Sequence, residues 1–443
     1  MEAALPPASS PVPPARVGAT LPLRQRVIYS FATVGSGAFN GFFNSTMPLF
    51  LSRHYALDNW LLGLLAQERS FLGSLLEPVV GWLSDRTNTR FGRRRPYLLI
   101  GAPLAALGLA VLSQVPPMAV MVMILLFLPV MLAISLVPYR AMLVDIADPE
   151  ARGGVGGTMA VMEMIGQIGL ALLAKYMWDQ NQTLVFFAVI FTLLFTFPVT
   201  FALIREPVQA PRPRTVETRS AATENPRVEP TRGGALVGVM RALRTGLRYL
   251  LELASFREAA KWVVAQILFW LAIGGISPFV TRYASMELGL GDSAAITLFL
   301  FLIIFTAIFA VPMGIAGDRL GKKRVLAAAL FVFGCAILVG SQVNTYEQLA
   351  AVLIVAGAAN AATTALGFPF LTELLPKHRM GELTGFSGMT WSFAQPLGSV
   401  LAGGLADVTG TLRSSLVLAA LLLFASLAIL LFVHPERVVV AEP

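Results

Sequence analysis

The amino-acid sequence predicts an all-α membrane protein: twelve transmembrane helices in two pseudo-symmetric six-helix bundles, with both termini cytoplasmic. Three observations carry that expectation. Of 443 residues, 56% are hydrophobic and 13% charged, where a soluble domain carries about 25% charge; the mean hydropathy is +0.72. The apolar residues gather into long unbroken stretches. Short motifs of the first half recur in the second. This composition excludes a soluble enzyme, a disordered chain and a nucleic-acid binder, and the formal charge of +8 belongs to loops rather than to a basic patch. Cys335 is the lone cysteine, and His54, His378 and His434 sit in separate expected loops. Neither a disulfide, a metal site nor a bound cofactor is expected.

A bilayer-spanning helix needs about 20 predominantly apolar residues. Twelve stretches meet this, approximately 27–51, 60–83, 97–115, 118–139, 155–176, 183–204, 260–281, 293–316, 324–342, 348–371, 384–405 and 414–433; they are spans 1 to 12 below. A β-barrel would need alternating segments of about 10 residues, whereas runs such as Met118–Leu136 are continuous. Residues 1–26 read as a proline-rich tail rather than a signal peptide. Residues 205–259 divide the spans six and six. Their first part, Arg205–Gly234, is polar, carries five prolines and is expected to be unstructured. About 235–256, Arg241, Arg244 and Arg248 oppose Leu236, Leu243, Leu247 and Leu250, an amphipathic helix that lies on the anionic inner leaflet or braces the bundle from below. The six spans of 27–204 and the six of 260–433 form the bundles, and 434–443 is a short tail. Lysine and arginine set the orientation: 28 of them fall on one set of loops, while Arg53, Lys175, Arg282 and Arg413 face the other side and Arg69 lies within span 2.

The halves echo one another. Gly81-Trp-Leu-Ser-Asp85-Arg86 recurs as Gly314-Ile-Ala-Gly-Asp318-Arg319, Val137-Pro138-Tyr139 as Phe368-Pro369-Phe370, and Asn44–Pro48 more weakly in a segment ending at Pro278. Parallel six-span repeats place a transporter's substrate between the halves near the midplane. Gly314-x-x-x-Asp318-Arg319-x-Gly321-x-Lys323-Arg324 resembles the loop motif of the major facilitator superfamily. Its first copy has the longer stretch Thr87–Phe91 before Gly92-Arg93-Arg94-Arg95-Pro96-Tyr97 and resembles the glycoside–pentoside–hexuronide cation symporters and the sucrose–proton symporters. Pro138-Tyr139-Arg140-Ala141-Met142-Leu143-Val144-Asp145 is similar to a stretch closing the fourth span of sucrose symporters. The resemblance implies that Asp85 faces the start of span 11 and Asp318 the start of span 5, latching the cytoplasmic side. Arg86, Arg319 and Arg93 to Arg95 belong to the same gate, the first-half arginines pairing with Asp145, Asp148 or Glu150, or act as topological anchors. The aspartate that sucrose symporters carry in span 4 is replaced here by Pro129.

Ionisable groups at membrane depth are costly and mark function. Glu68 and Glu77 in span 2 and Glu163 in span 5 are the candidate coupling carboxylates, for H+ or Na+. Glu68 is alternatively one member of a structural ion pair. Glu77 resembles a cation-site carboxylate of the sodium–sugar members, or partners Arg140. Glu163 carries a proton or makes an interhelical hydrogen bond while protonated. Arg140 binds sugar hydroxyls or closes a gate. Uncharged polar residues form stripes: Thr33, Ser36, Asn40 and Asn44 in span 1; Trp270, Gly274, Ser277 and Thr281 in span 7; Asn360, Thr363 and Thr364 in span 10; Trp391 and Gln395 in span 11. Amides, hydroxyls and aromatic platforms suit a neutral polyol. Asn40, Asn44, Arg140, Trp270, Ser277, Asn360, Thr364, Trp391 and Gln395 are therefore the candidate substrate contacts, although small polar residues also join helices in membranes.

The functional expectation is a monomeric, multi-pass secondary transporter of a bacterial inner membrane, coupling a sugar or related small polar solute to a proton or cation by alternating access. An exporter or uncoupled facilitator of the same fold remains open, as does a non-transporting assembly or delivery factor on that scaffold. No nucleotide-binding loop or nucleophile–base pair suggests an enzyme.

Overall fold

The computed structural model describes residues 22–87, 89, 92, 94–146, 149–204, 257–375 and 380–434. The expectations for the tails before residue 22 and after residue 434, and for the linker 205–256 with its amphipathic helix, lie outside the described residues. Every expected span is helical. Nine helical segments are long and apolar enough to cross a membrane, by length and composition, among the described residues. Span 2 (Asn59–Arg86) and span 11 (Met380–Thr409) are long helices carrying more polar groups. Span 1 departs from the expectation of one continuous helix: it runs as Leu23–Ser30, Ala32–Ser45 and Met47–His54. Span 7 breaks after Ile276 and resumes through Val280–Arg282 into a π-turn at Tyr283–Glu287. It is helical already at Arg257, the first described residue after the linker, and Glu258 accepts bonds there from Lys261 Nζ (2.8 Å) and the His434 backbone N–H (2.6 Å). Spans 4, 5 and 8 extend past the apolar stretch, as Met118–Ile146, Pro149–Met177 and Asp292–Leu320. Prolines inside spans 3, 4, 6, 8, 10 and 11 leave those helices continuous; neighbouring helices and side chains satisfy freed backbone groups in such bundles.

Within the first half, span 1 is fixed to span 4 by two tyrosines. Tyr29 and Tyr139 stack with ring centroids 5.0 Å apart, and each hydroxyl donates to the other's backbone carbonyl at 2.5 Å. Both rings are buried, so neither hydroxyl is left without a partner in an apolar surround. At the arginine-rich end, cations cap the last helix of each half. Arg95 donates to the Phe201 carbonyl (2.5 Å), while Lys323 and Lys261 donate to those of Leu431 and Phe432 (both 3.0 Å). Carbonyls at a helix C-terminus have no intrahelical donor and carry partial negative charge, so a cation there is stabilising.

The repeat is sharpest where helices touch backbone to backbone. A Cβ on Gly37 would lie 2.0 Å from the Glu163 carbonyl, and one on Gly166 2.1 Å from that of Val34. In the second half, a Cβ on Gly274 would lie 2.0 Å from the Gln395 carbonyl, and one on Gly398 2.0 Å from that of Leu271. A shift of 237 residues carries Val34 and Gly37 onto Leu271 and Gly274, and a shift of 232 carries Glu163 and Gly166 onto Gln395 and Gly398. Spans 1 and 5 therefore cross as spans 7 and 11 do. The weaker echo of Asn44–Pro48 ending at Pro278 has its own offset of 230, and both prolines stand at a helix break, after Ser45 in span 1 and after Ile276 in span 7.

Candidate functional site

The two crossings bring polar groups of neighbouring spans together within each half. Glu163 sits beside Gly37, and Asn40, one turn along span 1, donates from Nδ2 to Glu163 Oε1 at 2.8 Å. Both side chains are half-buried. Asn44, a further turn along, is also half-buried; Thr33 and Ser36 of the same stripe are buried. The Thr33 hydroxyl lies 3.0 Å from the Met159 carbonyl and serves the contact with span 5. Arg140 is exposed.

The second half presents a different surface at the equivalent place. Trp270 and Trp391 face one another, ring centroids 6.2 Å apart and planes at 49°, and Trp391 is 36% exposed. Gln395, half-buried one turn beyond Trp391, occupies the position that mirrors Glu163; Ser277 mirrors Asn40 at the same 237-residue shift. Thr281 is fully buried and its hydroxyl has no partner, so it does not continue an accessible stripe. Asn360 reaches Thr306 on span 8 at 3.4 Å, the Thr364 hydroxyl bonds back to the Asn360 carbonyl at 3.0 Å, and Thr363 is buried. The described bonds of this span 10 group stay within the second half.

Glu77 is exposed and forms no ion pair among the described residues, so the alternative of a Glu77–Arg140 pair is not realised here. The side chains of Glu68, Asp85 and Asp145, and residue Arg93, lie outside the described residues. Arg86 and Arg319 are exposed. The Asp318 side chain is 74% exposed and lies 3.9 Å from Lys322, which also pairs with Glu373. The side chains that open span 5, residues 149–153, lie outside the described residues, and among the described ones Asp318 has no span 5 partner.

The opposite, arginine-poor end is held shut by residues that the sequence reading did not single out. Asp407, near the end of span 11, accepts from the Asn59 backbone N–H (2.8 Å), the Asn59 amide (2.7 Å) and the Trp60 N–H (2.9 Å) at the start of span 2. An aspartate facing a helix N-terminus satisfies orphan donors and complements the helix dipole. Below it the helices meet closely, since a Cβ on Gly403 would lie 2.4 Å from the Asn59 carbonyl and one on Gly63 2.7 Å from that of Ser399. A second cluster centres on Asp292, 3% exposed, which takes Arg53 Nε (2.7 Å), Trp178 Nε1 (3.0 Å) and the Ser285 hydroxyl (2.7 Å). Ser293 donates to Asp179 at 2.6 Å, and Arg282 to the Ser52 hydroxyl at 2.9 Å. Arg53 and Arg282 were legible only as rare cations on that side; an acid at the outer start of span 8 or outer end of span 11 was the signal that could have paired them.

Residues 29–307 and, separately, 262–443 match the Major Facilitator Superfamily. The chain is a member of the Major Facilitator Superfamily. It is thus a multi-pass membrane transporter and not an enzyme. The second match begins inside span 7 and agrees with the repeat seen at the helix crossings. Relatives carry different cargo. The chain is 24% identical over 351 residues to the multidrug resistance protein MdtG of Dickeya zeae, covering 76% of this chain and 74% of that one. It is 56% identical over 41 residues to the proton-associated sugar transporter A of Homo sapiens, 9% of this chain and 6% of that one. The fold is shared with the nucleoside transporter NupG, at a TM-score of 0.65 and 14% identity, covering 92% of this chain and 98% of that structure.

Proposed function

We propose that this transporter is a proton-coupled symporter of a small, neutral, hydroxylated solute, standing here with its cavity open to the arginine-rich, cytoplasmic face. The observation that carries the coupling is the Asn40–Glu163 pair: a half-buried carboxylate between spans 1 and 5, held by an amide at 2.8 Å. A carboxyl group is the one side chain of this pair able to carry a proton, and in either form it keeps an oxygen that accepts from the amide. The mirror position, Gln395, cannot titrate. The conformation is supported by the sealed Asp407 and Asp292 contacts at one end and the exposed Glu77, Arg140 and Asp318 elsewhere. Rocking the halves about the Glu163 level would break the first set and allow Asp85 and Asp318 to close the second. Placement in a bacterial inner membrane follows from the arginine distribution and is part of the same proposal.

A second reading, proton-driven export, is favoured by the MdtG likeness over three quarters of the chain. A ligand-stabilisation screen of the purified protein tests the choice of cargo, using sugars, nucleosides, organic acids and cationic amphiphiles at an acidic and a neutral pH. Stabilisation by neutral sugars or nucleosides that changes with pH in the native protein, and not in Glu163→Gln, supports the symporter. Stabilisation by cationic amphiphiles alone sinks it in favour of the exporter.

A further inference from the structure

The contacts at the arginine-poor end fall into two sets. Arg53 lies at the end of span 1 and Asp179 follows span 5, both in the first half; Ser285 on span 7, and Asp292 and Ser293 at the start of span 8, belong to the second. Across the halves, Arg53 Nε lies 2.7 Å from Asp292, the Trp178 indole donates to Asp292 at 3.0 Å, and the Ser293 hydroxyl donates to Asp179 at 2.6 Å. Within one half, Arg53 Nη2 stands 3.8 Å from Asp179, and the Ser285 hydroxyl donates to Asp292 at 2.7 Å. Each charged group therefore has a resident partner besides the one across the gap. Among the described residues, Arg53 pairs with these two acids alone, and neither acid pairs with another cation.

We propose that Arg53 passes from Asp292 to Asp179 as the outer end opens, so that Asp179 is the counter-ion of the open state rather than a clasp of the closed one. The inference rests on reading this end as the closed gate and is independent of cargo and coupling ion. Asp292 and Ser293 are consecutive on one helix. Parting the halves therefore takes the second-half partner from Arg53 and from Asp179 in one movement. The two residues left behind are opposite in sign and already close. They also travel together, because His54 and Gln182 share a hydrogen bond of 2.9 Å that ties the end of span 1 to the start of span 6, beside Asp179. The Arg53 and Asp179 side chains are 48% and 46% exposed, which leaves them room to turn, and a guanidinium offers five donors. Asp292, 4% exposed, keeps the Ser285 hydroxyl and its place in the first turn of span 8, where the helix dipole favours negative charge. A buried charge pulled from its partner is costly; the hand-over leaves neither Arg53 nor Asp292 stranded and so lowers the cost of opening.

The test uses the full-length protein with Cys335 replaced by alanine and spin labels at Gln114→Cys and Glu347→Cys. Both positions are exposed, in the turn between spans 3 and 4 and at the start of span 10, which supply none of the gate residues. Pulsed electron resonance reads the ratio of long to short distances, in a background of Asp407→Ala that populates both states. Asp179→Asn keeps an amide oxygen for the Ser293 hydroxyl and offers no charge to Arg53. It is expected to lower the long-to-short ratio by about two- to fivefold, while Asp179→Glu keeps the background ratio. Ser293→Ala removes a bond of the closed state alone and is expected to raise the ratio by about two- to fivefold. A ratio that rises or stays unchanged in Asp179→Asn overturns the hand-over, while the reading of this end as the closed gate stands. Absence of a long-distance population in the background, in Ser293→Ala and in Asp292→Asn alike overturns that reading, and the hand-over with it.

Discussion

Asp407 offers the sharpest test of how the outer end is held. Its two carboxylate oxygens take three donors at 2.7–2.9 Å from residues 59 and 60 of the other bundle. Asp407→Ala removes all three bonds and the charge that faces the span 2 N-terminus. Hydrogen bonds to charged groups are worth about 1.5–3 kcal/mol each when shielded, and a helix-dipole contact about 0.3–1 kcal/mol. These bonds are exposed to solvent, so water replaces much of the loss. A net of roughly 1–2 kcal/mol is expected, which is about five- to thirtyfold in the balance between closed and open outer ends. The buried Asp292 cluster remains, so the closed state persists as one of two populations. Spin labels at Gln180→Cys and Glu347→Cys, both exposed and on opposite bundles at that end, report the separation by pulsed electron resonance once Cys335, the lone cysteine, is replaced by alanine. A new, longer-distance population in Asp407→Ala is expected. A distribution identical to that of the parent would show that Asp407 does not hold the two halves together.

Other perturbations follow from the same geometry. Asp292→Asn should open the outer end further than Asp407→Ala in the same label pair, because a buried charge cluster is broken and Arg53 is left facing a neutral amide; adding Asp407→Ala should give less than the sum of the two effects. Gly37→Ala and Gly274→Ala would each drive a Cβ to 2.0 Å from a carbonyl oxygen and should lower stability by about 1–3 kcal/mol or more, measured by thermal unfolding. Gly169→Ala in span 5 meets nothing within 4 Å and should be neutral or slightly stabilising through helix propensity. Asp318→Asn should leave thermal stability in the present conformation unchanged, since that side chain is 74% exposed, while slowing the return of the empty carrier if Asp318 latches the other state.

The spans were legible because a membrane helix announces itself by length and apolarity, and these do not depend on partners. Their ends were less so: Met118–Ile146 and Asp292–Leu320 continue past the hydrophobic stretch into polar sequence that still favours helix. The break of span 1 at Phe31 has no proline or charge to mark it, whereas the one at Thr46 precedes Pro48, which opens the next helical piece and has no N–H to continue the ladder. Glu163 and Asn40 stood out singly as polar residues in apolar runs, but their pairing joins residues 123 apart. The outer closure was harder still. Asp407 lies 348 residues from Asn59 and Asp292 far from Arg53, and each reads alone as an ordinary loop-end charge. The glycine crossings were invisible for the same reason: whether a glycine is idle, like Gly169, or admits a backbone, like Gly166, is decided by what it faces.

The most direct test of proton coupling through Glu163 is the movement of protons themselves. Purified protein in lightly buffered vesicles is given the neutral probe that binds best, and external pH is followed with no gradient imposed. The native protein is expected to alkalinise the medium as solute enters, and Glu163→Gln to exchange solute across the membrane without any pH change. Proton movement of equal size in Glu163→Gln, or solute uptake by the native protein with no proton movement, would contradict the account.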